Sequence, residues 1–214
     1  MSRSEFGVYV HIPFCASKCE YCAFATWTDR GHLVDAYLRA LRTEIERAIG
    51  DGLPTADTVF VGGGTPTLVP ADALAGVIDA IPVSPDAEIT VECNPDDVTV
   101  EMLRTYRSAG VNRVSLGVQS MSAHVLAALG RTHDRANVAR AVEAIAASAV
   151  PTFNLDLIYG AAGETVDDWH RTVEAALAFE PPHVSAYALT VEAGTPLAAQ
   201  PDRHPDDDDQ ADKY

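Results

Sequence analysis

Near its amino end the chain reads Tyr9-Val10-His11-Ile12-Pro13-Phe14-Cys15-Ala16-Ser17-Lys18-Cys19-Glu20-Tyr21-Cys22-Ala23-Phe24. An apolar strand pattern, Val8 to Ile12, leads directly into a loop with three cysteines in the frame Cys-x3-Cys-x2-Cys. Three thiolates on one short loop can hold three irons of a cubane cluster and leave the fourth iron open to a small ligand. The spacing therefore predicts a [4Fe-4S] site on Cys15, Cys19 and Cys22.

Zinc is the alternative metal for this loop. A structural zinc site needs four ligands, so Cys93 or His11 would have to join the three cysteines. The apolar residues just before Cys15 would shield a cluster, and Tyr21 could stack on a ligand at the open iron. These flanking residues favour the cluster over zinc.

The composition indicates an ordinary globular chain with one full-sized core. Its 214 residues are 47% hydrophobic, with a mean hydropathy of zero. No apolar run approaches the roughly 20 residues of a membrane span, and Met1 to Phe6 contain no apolar export signal. Four cysteines without such a signal point to a reducing compartment and to metal binding rather than disulfides. We therefore expect a cytoplasmic protein.

The net charge of −16 bears on the class of partner. An acidic surface repels phosphate backbones, so the charge argues against general nucleic-acid binding. The simplest interpretation of the charge is a solvated acidic face.

Short apolar runs alternate with helical patterns along the chain, and six of the runs are predicted strands. They are Val8–Ile12, Thr58–Val61, Ile89–Glu92, Arg113–Gln119, Thr152–Ile158 and His183–Leu189. Such alternation predicts an α/β fold with a parallel sheet, which fits either a doubly wound sheet or a (β/α)6 barrel. Polar residues at the carboxyl ends of different strands, namely Glu92, Gln119 and Asp156, favour the barrel, in which that face carries the active site.

We predict one barrel domain over residues 1–193. Residues 194–214 are predicted to form a linker, rich in proline and small residues, and the start of a further helix. The acidic run Asp206 to Asp209 suits the first turn of that helix. The chain stops without a helix stop signal, so we expect it to be cut short there.

Several polar motifs follow the predicted strands. Gly62-Gly63-Gly64-Thr65 lets backbone amides approach a ligand, although it lacks the lysine of a phosphate loop, and a simple tight turn is the alternative. Asp156 places a charge in an apolar run, which is costly unless the charge is paired or used. With Glu92, Gln119 and Arg131 it could bind the charged end of an amino acid and a ribose.

Taken together, the motifs resemble one family. They are Tyr-x-His-Ile-Pro-Phe-Cys-x3-Cys-x-Tyr-Cys at 9–22, Gly-Gly-Gly-Thr-Pro-Thr at 62–67, Glu-x-Asn-Pro at 92–95, Gly-Val-Gln-Ser at 117–120, Gly-Arg-Thr-His at 130–133 and Asn-Leu-Asp-Leu-Ile-Tyr-Gly at 154–160. The chain is similar to the radical S-adenosylmethionine (SAM) proteins of the oxygen-independent coproporphyrinogen III oxidase family and their HemW heme-chaperone relatives. The resemblance implies an incomplete barrel of six βα units.

The resemblance also implies cofactors. A [4Fe-4S] cluster on the three cysteines would chelate S-adenosylmethionine, and one electron from a flavodoxin or ferredoxin would release a 5′-deoxyadenosyl radical. The implied cofactor contacts are Tyr9, Tyr21, Gly63, Gly64, Thr65, Glu92, Gln119, Arg131, Asp156 and Ala188. No side chain is assigned a role as catalytic acid, base or nucleophile.

Two departures from the oxidase pattern indicate the branch of the family. The oxidases carry a further cysteine where this chain has Phe24, and they have an amino-terminal extension where only eight residues precede Tyr9. Both features resemble HemW, which implies a carrier that binds heme as cargo and delivers it to respiratory heme proteins. The alternative is an oxidase that decarboxylates the porphyrinogen in porphyrin biosynthesis. The family continues beyond this carboxyl end, into the part that holds the proposed heme ligand.

Overall fold

The computed structural model describes residues 5–214. Met1 to Ser4 lie outside the described residues. The prediction that the chain has no export signal rests partly on these four residues. The strands are β1 (Gly7–Ile12), β2 (Ala56–Gly63), β3 (Val83–Cys93), β4 (Arg113–Gln119), β5 (Thr152–Tyr159) and β6 (His183–Ala188). The α-helices are α1 (Val34–Gly50), α2 (Ala71–Ile78), α3 (Val100–Ser108), α4 (Ala123–Ala128), α5 (Arg135–Ser148), α6 (Val166–Leu177) and α7 (Asp207–Lys213).

The six strands form one parallel sheet in the order β1-β2-β3-β4-β5-β6. Because crossovers between parallel strands are right-handed and this order never reverses, the connecting helices fall on one face of the sheet. A doubly wound sheet needs a reversal of strand order. The predicted incomplete (β/α)6 barrel is therefore confirmed, and β6 is left as an edge strand with largely exposed side chains.

The helices cover the outer face of the sheet through a continuous apolar core. Leu74, Leu103, Leu116 and Leu155 are among the fully buried side chains of this layer. The other face of each strand carries the polar residues and looks into the barrel. Alternate residues of a strand point to opposite faces, so this division follows from the strand sequences themselves.

Two of the helices begin at side-chain caps. Thr99 caps α3 by accepting a hydrogen bond from Met102 N. Thr165 and Asp168 form a reciprocal capping box at the start of α6.

The third strand is longer than its sequence predicts. The expected strand spans Ile89–Glu92, whereas β3 begins at Val83. The added residues include Pro85 and Asp86, which disfavour a strand. They join the sheet beside a register irregularity between Ala56 and Thr58 of β2, so the extension depends on pairing rather than on local propensity.

Residues 194–214 pack against the barrel through specific contacts. Leu197 N donates to Glu20 O at 3.0 Å, and the Arg203 guanidinium pairs with the Glu20 carboxylate and donates to Ala128 O at 2.6 Å. Trp169 Nε1 of α6 donates to Lys213 O at 2.8 Å. The segment predicted as a linker thus contacts the loop that carries the cysteines. The domain boundary at residue 193 stays a prediction.

Buried ionic contacts hold the last helix in place. Lys213 Nζ, fully buried, donates to Glu164 O at 3.0 Å and pairs with the Asp209 carboxylate. Asp206 caps α7 by accepting from Asp209 N, as the acidic run predicts. Gln210 of the same helix donates to Leu189 O at 3.0 Å and lies directly over Gly160.

Across residues 5–214, the structure contains no helix that is both long and apolar enough to cross a membrane.

The packing of α7 can be tested with two glycine substitutions at left-handed positions. A Cβ at Gly160 (φ +87°) would lie 2.4 Å from Gln210 Nε2, whereas a Cβ at Gly163 (φ +77°) meets nothing within 4 Å. Both Gly→Ala changes should cost about 1–2 kcal/mol for the left-handed backbone. Gly160→Ala should cost about 1 kcal/mol more, because Gln210 loses its hydrogen bond with Leu189 O.

Denaturant unfolding measures the loss of unfolding free energy in each variant. Hydrogen exchange of the α7 amides shows whether the additional loss in Gly160→Ala arises in that helix. We expect faster exchange in α7 only for Gly160→Ala. Equal unfolding free energies and equal α7 protection in the two variants would contradict the described packing of this helix.

Candidate functional site

A cavity of about 600 Å³ lies inside the barrel and opens at the carboxyl ends of the strands. Its lining contains eleven of the thirteen residues predicted for the site: Cys15, Cys19, Tyr21, Cys22, Gly63, Gly64, Thr65, Glu92, Gln119, Arg131 and Asp156. Residues from five strands or their following loops meet there, because parallel strands deliver their carboxyl ends to one edge. Sequence positions more than 100 residues apart thus become neighbours.

The cysteine loop is closed at its base by a short bridge. Phe14 pairs with Trp27, Cys15 N donates to Trp27 O at 3.1 Å, and Trp27 N donates to Pro13 O at 2.8 Å. The three cysteines therefore lie on one closed loop that follows β1.

Two of the thiols accept hydrogen bonds from elsewhere in the barrel. Thr65 Oγ1 donates to Cys15 Sγ and Arg131 Nη1 donates to Cys19 Sγ, both at 3.7 Å. Burial raises the pKa of the Cys22 thiol, and the neighbouring Cys19 and Cys15 add to that rise. A metal cation beside these sulfurs would offset this cost and hold all three as thiolates.

The arrangement of the three thiols bears on the kind of metal group that they could hold. Among residues 5–214, no three His, Cys, Asp or Glu side chains converge closely enough to hold one metal ion. A cubane distributes its ligands over separate irons and does not require such convergence. Three cysteines on one closed loop, with donors aimed at their sulfurs, fit that group.

Neither candidate for a fourth zinc ligand is available. His11 is engaged through both ring nitrogens, with Nδ1 near Tyr9 Oη at 3.0 Å and Nε2 near Ala25 O at 2.9 Å. Cys93 is buried, its thiol donates to Val91 O, and burial raises its pKa. Both side chains therefore have other partners, and the assignment of the cluster to Cys15, Cys19 and Cys22 stays a prediction.

The glycine run after β2 lies against the cysteine loop. Gly64 N donates to Ile12 O at 2.7 Å and Thr65 N donates to Phe14 O at 2.8 Å. A Cβ at Gly64 would lie 2.6 Å from Phe14 O and 3.0 Å from Cys15 Sγ. Only glycine allows this approach, so the run is more than a simple turn.

Glu92 is bound to the same glycine run. Its Oε2 accepts from Gly63 N at 3.0 Å. Burial raises the pKa of this carboxyl, while the hydrogen bond from Gly63 acts in the opposite direction. A ligand that donates hydrogen bonds would favour its ionised form further.

Asp156 is oriented by a polar network inside the barrel. Ser115 Oγ donates to Asp156 Oδ2 at 2.6 Å, and Asn154 Nδ2 donates to Asp156 Oδ1 at 2.7 Å. Ser185 Oγ donates to Asn154 Oδ1 at 3.2 Å. The carboxylate is therefore a fixed acceptor whose position depends on three strands.

Gln119 occupies an unusual backbone position at the end of β4. Its φ is +62°, and the β4–β5 register shifts between Gly117 and Gln119. Such bulges redirect a side chain at a functional site. Arg131 lies beside it, with Nη2 donating to Asn94 Oδ1 at 2.7 Å and to Gly117 O at 3.2 Å.

Two of the predicted contacts lie outside the cavity lining. Tyr9 is exposed, bonds to His11 and stacks on Phe60, which does line the cavity. Ala188 ends the edge strand β6 and is exposed. Their assignment as cofactor contacts stays a prediction.

Sequence reasoning left other lining residues unassigned, among them Ser115, Asn154, Arg113 and His183. Their signal is the alternation of polar and apolar residues in β4, β5 and β6, where every second side chain faces the barrel interior. We interpreted these strands as apolar runs, so the alternation was missed.

Comparison with known proteins places the chain among characterised relatives. The family model described as the radical SAM superfamily matches residues 9–176. The chain is 45% identical over its whole length to the heme chaperone HemW of Mycobacterium tuberculosis and covers 58% of that protein. It is 36% identical over 94% of its length to Escherichia coli HemW and covers 55% of it.

Solved structures agree with the fold. The E. coli coproporphyrinogen III oxidase HemN, described as a radical SAM enzyme, superposes with a TM-score of 0.85 at 27% identity, over 98% of this chain and 50% of that chain. The [FeFe]-hydrogenase maturase HydG gives a TM-score of 0.64 at 15% identity, over 98% of this chain and 48% of that chain, and shows the fold alone. The chain thus spans a little over half the length of the curated relatives it matches.

The cysteine assignment predicts different outcomes for the four cysteines. Replacing Cys15, Cys19 or Cys22 with alanine should abolish the cluster absorbance and the bound iron and sulfide after anaerobic reconstitution, because each thiolate ligates a separate iron. Cys93→Ala is the matched control and should retain both. Loss of the absorbance in Cys93→Ala would contradict the assignment of the open iron.

Gly64 offers an independent test that leaves all thiols in place. Gly64→Ala forces a Cβ against backbone oxygens of the cysteine loop, so we expect a loss of about 1–3 kcal/mol in unfolding free energy and reduced cluster content. Gly50→Ala, with nothing within 4 Å of its Cβ, is the control. Iron analysis and urea unfolding measure both effects. Wild-type iron content and stability in Gly64→Ala would show that the loop does not require this approach.

Proposed function

This chain belongs to the radical SAM superfamily, and we propose that it is the cluster-bearing, S-adenosylmethionine-binding part of a HemW-type heme chaperone. The observation that carries the proposal is the 45% identity to a protein named heme chaperone HemW across the whole chain. Phe24 supports the same branch, because the resemblance places a cysteine there in the oxidases.

Cys15, Cys19 and Cys22 are proposed to hold the [4Fe-4S] cluster. A cluster with an open iron supplies one-electron chemistry toward S-adenosylmethionine when both are bound. Thr65 and Arg131 donate hydrogen bonds to two of the sulfurs and so stabilise the thiolate form. Hydrogen bonds to sulfur and burial are the means by which a protein sets a cluster's potential.

The cofactor contacts proposed from the family pattern include hydrogen-bond acceptors, hydrogen-bond donors and glycines that allow close backbone approach. Glu92 and Asp156 offer fixed carboxylate acceptors, which suit an amino group and ribose hydroxyls. Gln119 and Arg131 offer donors in the lining of the same cavity. Gly63, Gly64 and Thr65 allow close backbone approach, and Tyr21 lies beside the cysteines with its ring largely buried against a small apolar cluster.

Heme is proposed as cargo rather than as a resident cofactor. Its recipients would be respiratory heme proteins, and a flavodoxin or ferredoxin would reduce the cluster. We place this activity in the cytoplasm and expect no nucleic-acid partner. These roles are proposed for proteins of the relatives' full length, of which this chain spans a little over half.

An oxygen-independent coproporphyrinogen III oxidase is the alternative. Its support is the TM-score of 0.85 with HemN, but the identity to that protein is 27%, well below the 45% identity to HemW. Phe24, which is 62% exposed and lines the cavity, carries no thiol for the additional cysteine of the oxidases. The alternative therefore has less support.

Anaerobic heme titration of the reconstituted chain tests the proposal. The chain is titrated alone and joined to the carboxyl-terminal part of M. tuberculosis HemW, because the resemblance places the proposed heme ligand in that part. We expect a saturable heme absorbance change with one heme in the joined protein. Full-length M. tuberculosis HemW is the positive control. The absence of a heme spectrum at stoichiometric protein, with a normal response of the control, would contradict the proposal.

The same preparation distinguishes the alternative. Reduced protein with S-adenosylmethionine and coproporphyrinogen III should return the substrate unchanged. Mass-spectrometric loss of two carboxylates from the porphyrinogen would identify the oxidase instead.

A further inference from the structure

The backbone turns sharply at Gln119, the last residue of β4. Ser120 N donates to Val118 O at 2.8 Å, and the φ of Gln119 between them is +62°. A hydrogen bond of this span around a residue of positive φ forms a γ-turn of the rare, strained kind. Among residues 5–214, the other non-glycine residues with positive φ, Ala149 and Glu180, both follow helices, where a left-handed residue is common. The strained turn at the end of a strand therefore needs a separate explanation.

The turn directs the Gln119 side chain into the cavity. The register shift between β4 and β5 leaves Val118 without a partner in β5, and such a bulge re-aims the neighbouring side chains. The Gln119 amide lies over Gly117, where a Cβ would be 3.0 Å from Gln119 Nε2, and it lines the cavity. No hydrogen bond with another of the described residues holds this amide. Its direction therefore depends on the backbone turn.

His133 donates a second hydrogen bond to the carbonyl of this turn. Its Nε2 lies 2.8 Å from Val118 O, which can only accept, so Nε2 carries the proton. Burial lowers the pKa of His133 and the neighbouring Arg131 lowers it further, so the ring is neutral near pH 7. Val118 O thus accepts from the turn itself, at Ser120 N, and from the imidazole.

Packing alone does not explain an imidazole at this position. His133 is 3% exposed, and its Nδ1 has no hydrogen-bond partner among residues 5–214. A buried nitrogen without a partner costs free energy that an apolar side chain of similar size would avoid. The hydrogen bond to Val118 O is the feature of His133 that an apolar side chain could not reproduce.

His133 lies in a short loop whose backbone is fixed at both ends. Arg131 N donates to Leu126 O of α4 at 2.9 Å. Directly after His133, Asp134 and Asn137 form the reciprocal capping box that begins α5. The position of the imidazole relative to the end of β4 is therefore well defined.

The chain after the turn is anchored on a different helix. Ser120 is fully buried, with its Oγ 3.1 Å from Thr172 Oγ1 of α6, and Met121 N donates to the same hydroxyl oxygen at 3.2 Å. Strained backbone persists where surrounding contacts fix it from several sides, and it is concentrated at functional sites. The turn at Gln119 is held in this way, by α6 on one side and by His133 on the other.

We propose that His133 is a positioning residue, whose hydrogen bond to Val118 O holds the γ-turn and keeps the Gln119 amide directed into the cavity. This inference rests on the proposed function, because S-adenosylmethionine is the ligand that would meet the amide there. His133 does not line the cavity itself, so its influence on the ligand passes through Gln119.

The experiment measures S-adenosylmethionine affinity by anaerobic calorimetric titration of the reconstituted chain. His133→Leu removes the donor, whereas His133→Gln keeps one, because a glutamine amide nitrogen can take the place of the imidazole Nε2. His170→Leu, at an exposed histidine of α6, is the matched control. Each variant is made in the wild-type chain and in Gln119→Ala, which lacks the amide. Retained cluster absorbance shows that each variant is folded.

In the wild-type background, we expect His133→Leu to weaken binding about three- to tenfold, the range that corresponds to one lost hydrogen bond. His133→Gln and His170→Leu should stay within about twofold of the wild type. In Gln119→Ala, His133→Leu should have no further effect, because two residues that act through one contact are not additive. A purely structural role of His133 would instead lower the affinity equally in both backgrounds.

Three results would show that the positioning role is wrong while the proposed function stands. They are wild-type affinity in His133→Leu, an equal loss in both backgrounds, and failure of His133→Gln to restore binding. If His133→Leu loses the cluster, His133→Asn, whose shorter amide does not reach Val118 O, takes its place. Loss of the cluster in both variants also overturns the inference, because His133 would then be required by the cluster site as a whole. If the wild-type chain binds no S-adenosylmethionine, the proposed function and this inference both fail.

Discussion

The close contact between the cysteine loop and the glycine run is the constraint on which the site depends. Gly64 and Thr65 donate backbone hydrogen bonds to Ile12 and Phe14, and Gly64 leaves no room for a side chain beside Cys15 Sγ. This contact fixes the start of the cysteine loop relative to β2 and therefore relative to Glu92, which is bound to Gly63. The start of the cysteine loop and the Glu92 carboxylate are therefore positioned by one continuous set of hydrogen bonds around the glycine run.

The barrel interior is polar, and its polar groups are satisfied by one another. Ser115, Asn154 and Ser185 belong to three neighbouring strands and form one network around Asp156. Buried polar groups are tolerated when they are hydrogen-bonded, and such networks also fix side-chain orientation.

The fold alone does not select among the chemistries found in this superfamily. HemN, an oxidase, and HydG, a hydrogenase maturase, both superpose with the chain, which is expected because one scaffold supports many sites. The selection depends on side chains at the opening and on parts of the relatives that this chain does not span. Phe24 is one such side chain of this chain, since it lines the cavity beside the cysteines.

The sequence alone was sufficient for the features that are local. The spacing of Cys15, Cys19 and Cys22 involves neighbours in the chain, and the carboxylates of Glu92 and Asp156 lie in recognisable strands. Tertiary structure decided the barrel over the doubly wound sheet, the extension of β3, the packing of residues 194–214 and the meeting of Arg113 with His183. These features depend on which strands pair and in what register, and hydrophobic periodicity carries no information about pairing between segments 70 residues apart.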